Sequence, residues 1–68
     1  MKTWEVKLDT KGNGLVTINV QADDWHEVEN SAGDVFALSF YKHTEDGAEE
    51  DVAFYPMATL LGVKDVTP

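Results

Sequence analysis

The chain has 68 residues, 13 of them acidic against five lysines and no arginine, a formal net charge of -8, and no cysteine. Such an excess of carboxylates repels nucleic-acid phosphates and anionic lipid, which argues against direct binding to either, and the missing thiols exclude disulfides and thiolate zinc sites. No apolar run approaches the roughly 20 residues that span a bilayer, and 43% hydrophobic residues are more than a disordered chain carries, so the sequence reads as one small, soluble, cytoplasmic domain.

Trp4, Val6 and Leu8 alternate with Glu5, Lys7 and Asp9, the two-residue period of a half-buried strand. Val16, Ile18, Val20 and Ala22 repeat the pattern against Thr17, Asn19 and Gln21, and the two runs flank Lys11-Gly12-Asn13-Gly14. That is a hairpin. The apolar residues of both strands are even-numbered, so directly opposed positions must sum to an even number to share a face. A three-residue loop, Gly12-Asn13-Gly14, meets this condition. It pairs Leu8 with Ile18 and Val6 with Val20, and it places Gly14 in the left-handed conformation, so that Gly14→Ala should cost more than Gly12→Ala.

Residues 22–30 contain Asp23 or Asp24 as a helix cap, or else a bend followed by a short strand over 26–29, the reading favoured here. Ser31-Ala32-Gly33-Asp34 is a turn. Residues 35–42 form the central strand, with Phe36, Leu38 and Phe40 on one face and Val35, Ala37, Ser39 and Tyr41 on the other. Residues 43–51 hold an acidic loop, and residues 52–55 resume the β pattern, placing Phe54 opposite Phe40. Pro56 opens a short helical turn over 56–61 that stops at Gly62, and residues 63–66 return as a closing strand. The expected fold is all-β: five or six antiparallel strands with one helical turn near the end.

Two hairpins, a one-turn helix and a short closing strand resemble an SH3-like barrel in architecture. The acidic loop, the Val-Ala-Phe-Tyr-Pro strand end and the Leu-Leu-Gly-Val closing segment, all within residues 45–66, are similar to the short acidic β proteins encoded by bacteriophages and actinobacterial genomes. The aromatic and acidic loop signature by which SH3 domains hold proline-rich peptides is missing, so that function is not implied.

Chemistry is sparse. His26 and His43 are 17 positions apart without metal-ligand spacing, and Ser31 and Ser39 lack the context of an activated nucleophile. Adjacent acids such as Asp23 with Asp24 or Glu49 with Glu50 offer carboxylates, but general acid-base work requires one of a pair to be buried. No enzyme activity, cofactor or metal is expected. Trp4, Phe36, Phe40 and Phe54 fit the core, whereas Trp25, Tyr41 and Tyr55 fall on the opposite parity. Ringed by Asp23, Asp24, Glu27 and Glu29, these three aromatics would form an anchor inside an acidic rim, the composition of a protein-binding hot spot for a basic surface. A phage-type inhibitor or DNA mimic is one version of that reading. A homo-oligomer assembled through sheet edges is the alternative.

Overall fold

The computed structural model describes residues 1–68 and is built almost entirely of strands. These are β1 (Lys2–Asp9), β2 (Leu15–Ala22), β3 (Asp24–Glu29), β4 (Val35–His43), β5 (Glu49–Pro56) and β6 (Leu60–Asp65), with a 3-10 turn at Met57–Thr59 before the last. They form two three-stranded antiparallel sheets, ordered β2-β1-β6 and β3-β4-β5. No ladder joins the two sheets, so backbone pairing does not close them into a barrel. The chain changes sheet at two short corners. One is the single residue Asp23, whose N–H donates to the Tyr41 carbonyl at 2.8 Å, and the other is the 3-10 turn. Consecutive strands β2 and β3, and β5 and β6, therefore lie in different sheets instead of pairing.

In the first hairpin the even parity holds but the register is displaced by two residues. Val6 faces Ile18, Leu8 faces Val16 and Asp9 faces Leu15. The loop is accordingly residues 10–14, not three residues. Asp9 and Thr10 close the loop: Lys11 N–H donates to Asp9 Oδ1 at 3.0 Å, while the Thr10 hydroxyl and N–H both donate to the Gly14 carbonyl, at 2.7 and 3.2 Å. Lys11, Gly12 and Gly14 all take positive φ, at 47°, 125° and 81°. On the other side of β1, Val6 pairs with Val63 and Lys7 with Gly62. Gly62 is thus a strand residue and not a helix stop. The short turn has already ended at Leu60, whose N–H donates to the Met57 carbonyl.

The second sheet begins at Asp24, two residues before the expected strand, and no capped helix forms. Trp25 faces Phe40 and Glu27 faces Leu38. Asn30 closes the following turn, its Oδ1 accepting the N–H groups of Ala32 and Asp34 at 2.9 and 3.0 Å. Between β4 and β5 the register slips: Phe40 pairs with Ala53 but Tyr41 pairs with Asp51, leaving Val52 as a bulge. Phe54 therefore lies opposite Ser39, not Phe40. The acidic stretch is shorter as a loop than expected, because Glu49, Glu50 and Asp51 already belong to β5.

The core is small. Trp4, Val6, Val20 and Ala22 from the first sheet meet Phe40 from the second, flanked by half-buried Leu8, Ile18, Leu60 and Val63 on one side and Trp25, Ala53 and Tyr55 on the other. Trp4 and Phe40 rings lie 6.1 Å apart, and the indole N–H, too buried to reach water, donates to the Ala22 carbonyl at 3.2 Å. The molecule is flat, 41 × 36 × 15 Å, so each sheet keeps a broad outer face. No helix is long and apolar enough to cross a membrane.

Candidate functional site

Strand pairing decides which side chains share a face of the second sheet, because cross-strand partners project to the same side. The rows Trp25–Phe40–Ala53 and Glu27–Leu38–Tyr55 face the first sheet. The rows Asp24–Tyr41–Asp51 and His26–Ser39–Phe54 face away from it. The centre of this outer face is made of small side chains, Ala37 and Ser39, both buried.

Tyr41 is the pivot of the outer face. Its ring stacks against His26, centroids 5.4 Å apart and tilted by 36°, and meets His43 edge-on at 5.7 Å. Asp24 and Asp51 flank it on the neighbouring strands. Partial burial, and after it the negative charges of Asp24, Glu49 and Asp23, push the Tyr41 hydroxyl above the ordinary phenolic range. From the corner, Asp23 reaches the same cluster: its Oδ2 accepts the His43 N–H at 2.6 Å and lies 3.3 Å from His43 Nδ1. That backbone donor is the main cause that holds the Asp23 carboxyl below the usual carboxylate range, with the His43 ring adding to it. Farther along the sheet, Phe54 is 53% exposed and its ring sits 6.3 Å from that of Phe36.

Of the residues singled out from the sequence, Asp23, Asp24 and Tyr41 come together here. Trp25 and Tyr55 do not; they turn toward the core, where Tyr55 meets Phe40 at 5.8 Å in a T-shaped contact and burial raises its hydroxyl pKa. Their parity was misassigned because the bulge at Val52 swaps the faces of β5, and because Trp25 pairs directly with core Phe40. Glu27 belongs to the inner-facing row yet is exposed at the edge, and Glu29 sits exposed at a register break opposite Val35. His26, His43, Glu49 and Asp51 are members that the sequence reading left out of the site. The spacing of Tyr41 and His43, two residues apart on one strand, was the available signal for His43; His26 joins only through cross-strand register.

Charge is displayed outward over the whole molecule. None of the 13 acidic side chains is buried. The lysine ion pairs, Lys2 with Asp65 and Lys7 with Glu5, are both at 4.0 Å and largely exposed, so they offset little of the charge. In the turn at residues 44–48, Asp46 is a structural acid. It accepts the Thr44 hydroxyl and the Ala48 N–H, which together lower its pKa. No three histidine or acidic side chains converge as metal ligands, and no cavity opens in the surface. Compared with protein-family models, curated proteins and solved structures, the chain matches none.

Proposed function

We propose that this protein is a non-enzymatic binding module that docks the outer face of its β3-β4-β5 sheet on a basic surface of a larger protein and so blocks or modulates it. The observation that carries the reading is Tyr41, a half-buried aromatic held between His26 and His43 and bordered by Asp23, Asp24, Glu49 and Asp51. An immobilised tyrosine contributes contact area at little entropic cost, and a surrounding acidic rim steers a cationic partner and orients it. Phe36 and Phe54 extend the apolar part of the same region. A phage-type inhibitor that mimics DNA is the narrower form of this reading, and the two-sheet arrangement is taken as an opened relative of the SH3-like barrel.

Affinity capture from a cell lysate tests it. Basic proteins should be retained at low salt and released as salt screens the rim. Asp24→Lys and Tyr41→Ala should each abolish retention while the far-ultraviolet spectrum stays unchanged, and duplex DNA should displace the captured protein if phosphates are being imitated. Retention that survives both substitutions would remove this face from the binding site.

A further inference from the structure

Four strands end a sheet: β2 and β6 in the first, β3 and β5 in the second. An edge strand presents unpaired N–H and C=O groups to any passing chain, and folded proteins block such edges with charge, bulges or proline. Three of the four are blocked in this way. β3 carries Asp24, Glu27 and Glu29 and a register break at Val28/Glu29. β5 carries Glu49, Glu50 and Asp51, the bulge at Val52, and Pro56 at its end. β6 carries Lys64 and Asp65 and meets β1 through a break at Lys7/Leu8.

β2 has none of these devices. Its sequence, Leu-Val-Thr-Ile-Asn-Val-Gln-Ala, contains no charge, glycine or proline, and all eight residues pair with β1 without interruption. It is the only strand of the protein that lacks a charged side chain. The ladder also shows which of its backbone groups are free. Thr10 N–H donates to the Gly14 carbonyl, and because bonded pairs recur at every second residue, Val16, Ile18 and Val20 direct their backbone groups to β1. Thr17, Asn19 and Gln21 direct theirs outward. On β1 the same alternation turns odd-numbered Thr3 toward the far side, where its carbonyl accepts the Val66 N–H at 2.9 Å.

We propose that β2 is the seam of a homodimer, in which a second copy lays its own β2 antiparallel along this edge about a twofold axis near Ile18 and Asn19, making one continuous sheet across both copies. A twofold contact needs a segment complementary to itself. At -8 per chain, copies repel one another over most of their surface, and the uncharged strand is where that repulsion is least. A cationic partner, by contrast, would find no charge on β2 to favour it. The seam would satisfy the outward groups of Thr17, Asn19 and Gln21. It would also set Val16 and Ile18 of both copies side by side on the inner face, where they are only half-buried in the single chain. This edge lies on the opposite sheet from the docking face of Tyr41, so the two can fail separately.

The test is the mass in solution, by size exclusion with light scattering, from micromolar to near-millimolar protein at low and high salt. The mass should double with concentration, and the dimer fraction should rise with salt as like charges are screened, the opposite of the salt dependence of capture by a basic partner. Asn19→Pro removes an N–H that the single chain does not use, and Thr17→Lys places charge on the seam; each should return the mass to that of one chain with the fold intact. In the unaltered protein, amide exchange at Thr17, Asn19 and Gln21 should slow as concentration rises. If Asn19→Pro fails to fold, Thr17→Lys and the exchange data decide. A single-chain mass throughout the range overturns the proposal, as does a dimer that persists in Thr17→Lys or leaves those three amides unprotected.

Discussion

Asp23 and His43, twenty positions apart, are joined twice: the Asp23 carboxylate accepts the His43 N–H at 2.6 Å and lies 3.3 Å from the ring Nδ1. The contact ties the corner after β2 to the end of β4 and sets the spacing of the Tyr41 cluster. It also makes stability depend on acid. The folded state holds Asp23 below its ordinary pKa, so its contribution is present above the unfolded value of about 3.9 and is lost as pH falls through the lower folded one. Asp46, held by Thr44, and Asp65, held by the Thr67 hydroxyl and N–H, act in the same direction. Thermal melts of Asp23→Asn should show a lower midpoint than the unaltered protein at neutral pH, with the gap closing once acid has protonated the carboxylate. A gap that is the same at both pH values would mean that the charge is not what matters.

At the alkaline end the two tyrosines work in the opposite sense. Desolvation raises both Tyr41 and Tyr55, and Asp24, Glu49 and Asp23 add to the effect at Tyr41. A raised folded pKa means stability that is whole below the unfolded value of about 10 and is lost as pH climbs through the folded value. Ultraviolet titration should therefore find both phenols ionising late. Asp24→Asn should move Tyr41 back toward the ordinary value and leave Tyr55 where it is.

Phe40 and Phe54 mark the core and the outer face of the second sheet. Phe40 is fully buried between the sheets, and Phe54 is 53% exposed on the outer side. Phe40→Ala should cost about 3–5 kcal/mol, comparable to the entire net stability expected of so small a core, roughly 3–5 kcal/mol, and the variant should be largely unfolded by circular dichroism. Phe54→Ala should lose under about 1 kcal/mol in a urea titration. Similar losses at the two positions would contradict the bulge that puts them on different faces.

That bulge marks where sequence reasoning stops. The period-two runs of Trp4, Val6 and Leu8, of Val16, Ile18 and Val20, and of residues 35–42 read directly as strands. Burial follows their parity in β2 and through most of β1, whereas in central β4 Ala37, Leu38, Ser39 and Phe40 are all buried and Phe36, expected in the core, is 46% exposed. Parity carries across a hairpin only if the register is known. Nothing local announces the extra residue at Val52, which has neither glycine nor proline beside it, and one inserted residue exchanges Phe54 and Tyr55 between core and surface. The same limit explains the candidate site. Asp23, Asp24 and Tyr41 were legible as an acidic and aromatic set, while Trp25 and Tyr55 required knowledge of what they face. Closure of the sheets does not follow from the strand pattern for a related reason: whether a strand pairs with its successor or passes to another sheet is settled at corners as short as Asp23, by tertiary contacts.

The loop at residues 10–14 offers the most direct check of register. The three-residue loop expected from parity would have made Gly14 the more demanding glycine. In the five-residue loop both glycines take positive φ, but Gly14 at 81° lies near the left-handed well that asparagine tolerates, whereas Gly12 at 125° lies well beyond it. Neither meets a neighbouring atom that a β-carbon would strike, so backbone conformation alone sets the cost. Gly12→Asn should therefore destabilise by about 1–3 kcal/mol, while Gly14→Asn should lose less than about 1 kcal/mol, both read from chemical denaturation. The reverse order would restore the shorter loop and, with it, the pairing of Leu8 with Ile18. Because that register moves β2 by two residues along β1 and leaves its parity unchanged, the uncharged edge would survive, while the axis of the seam would shift relative to β1.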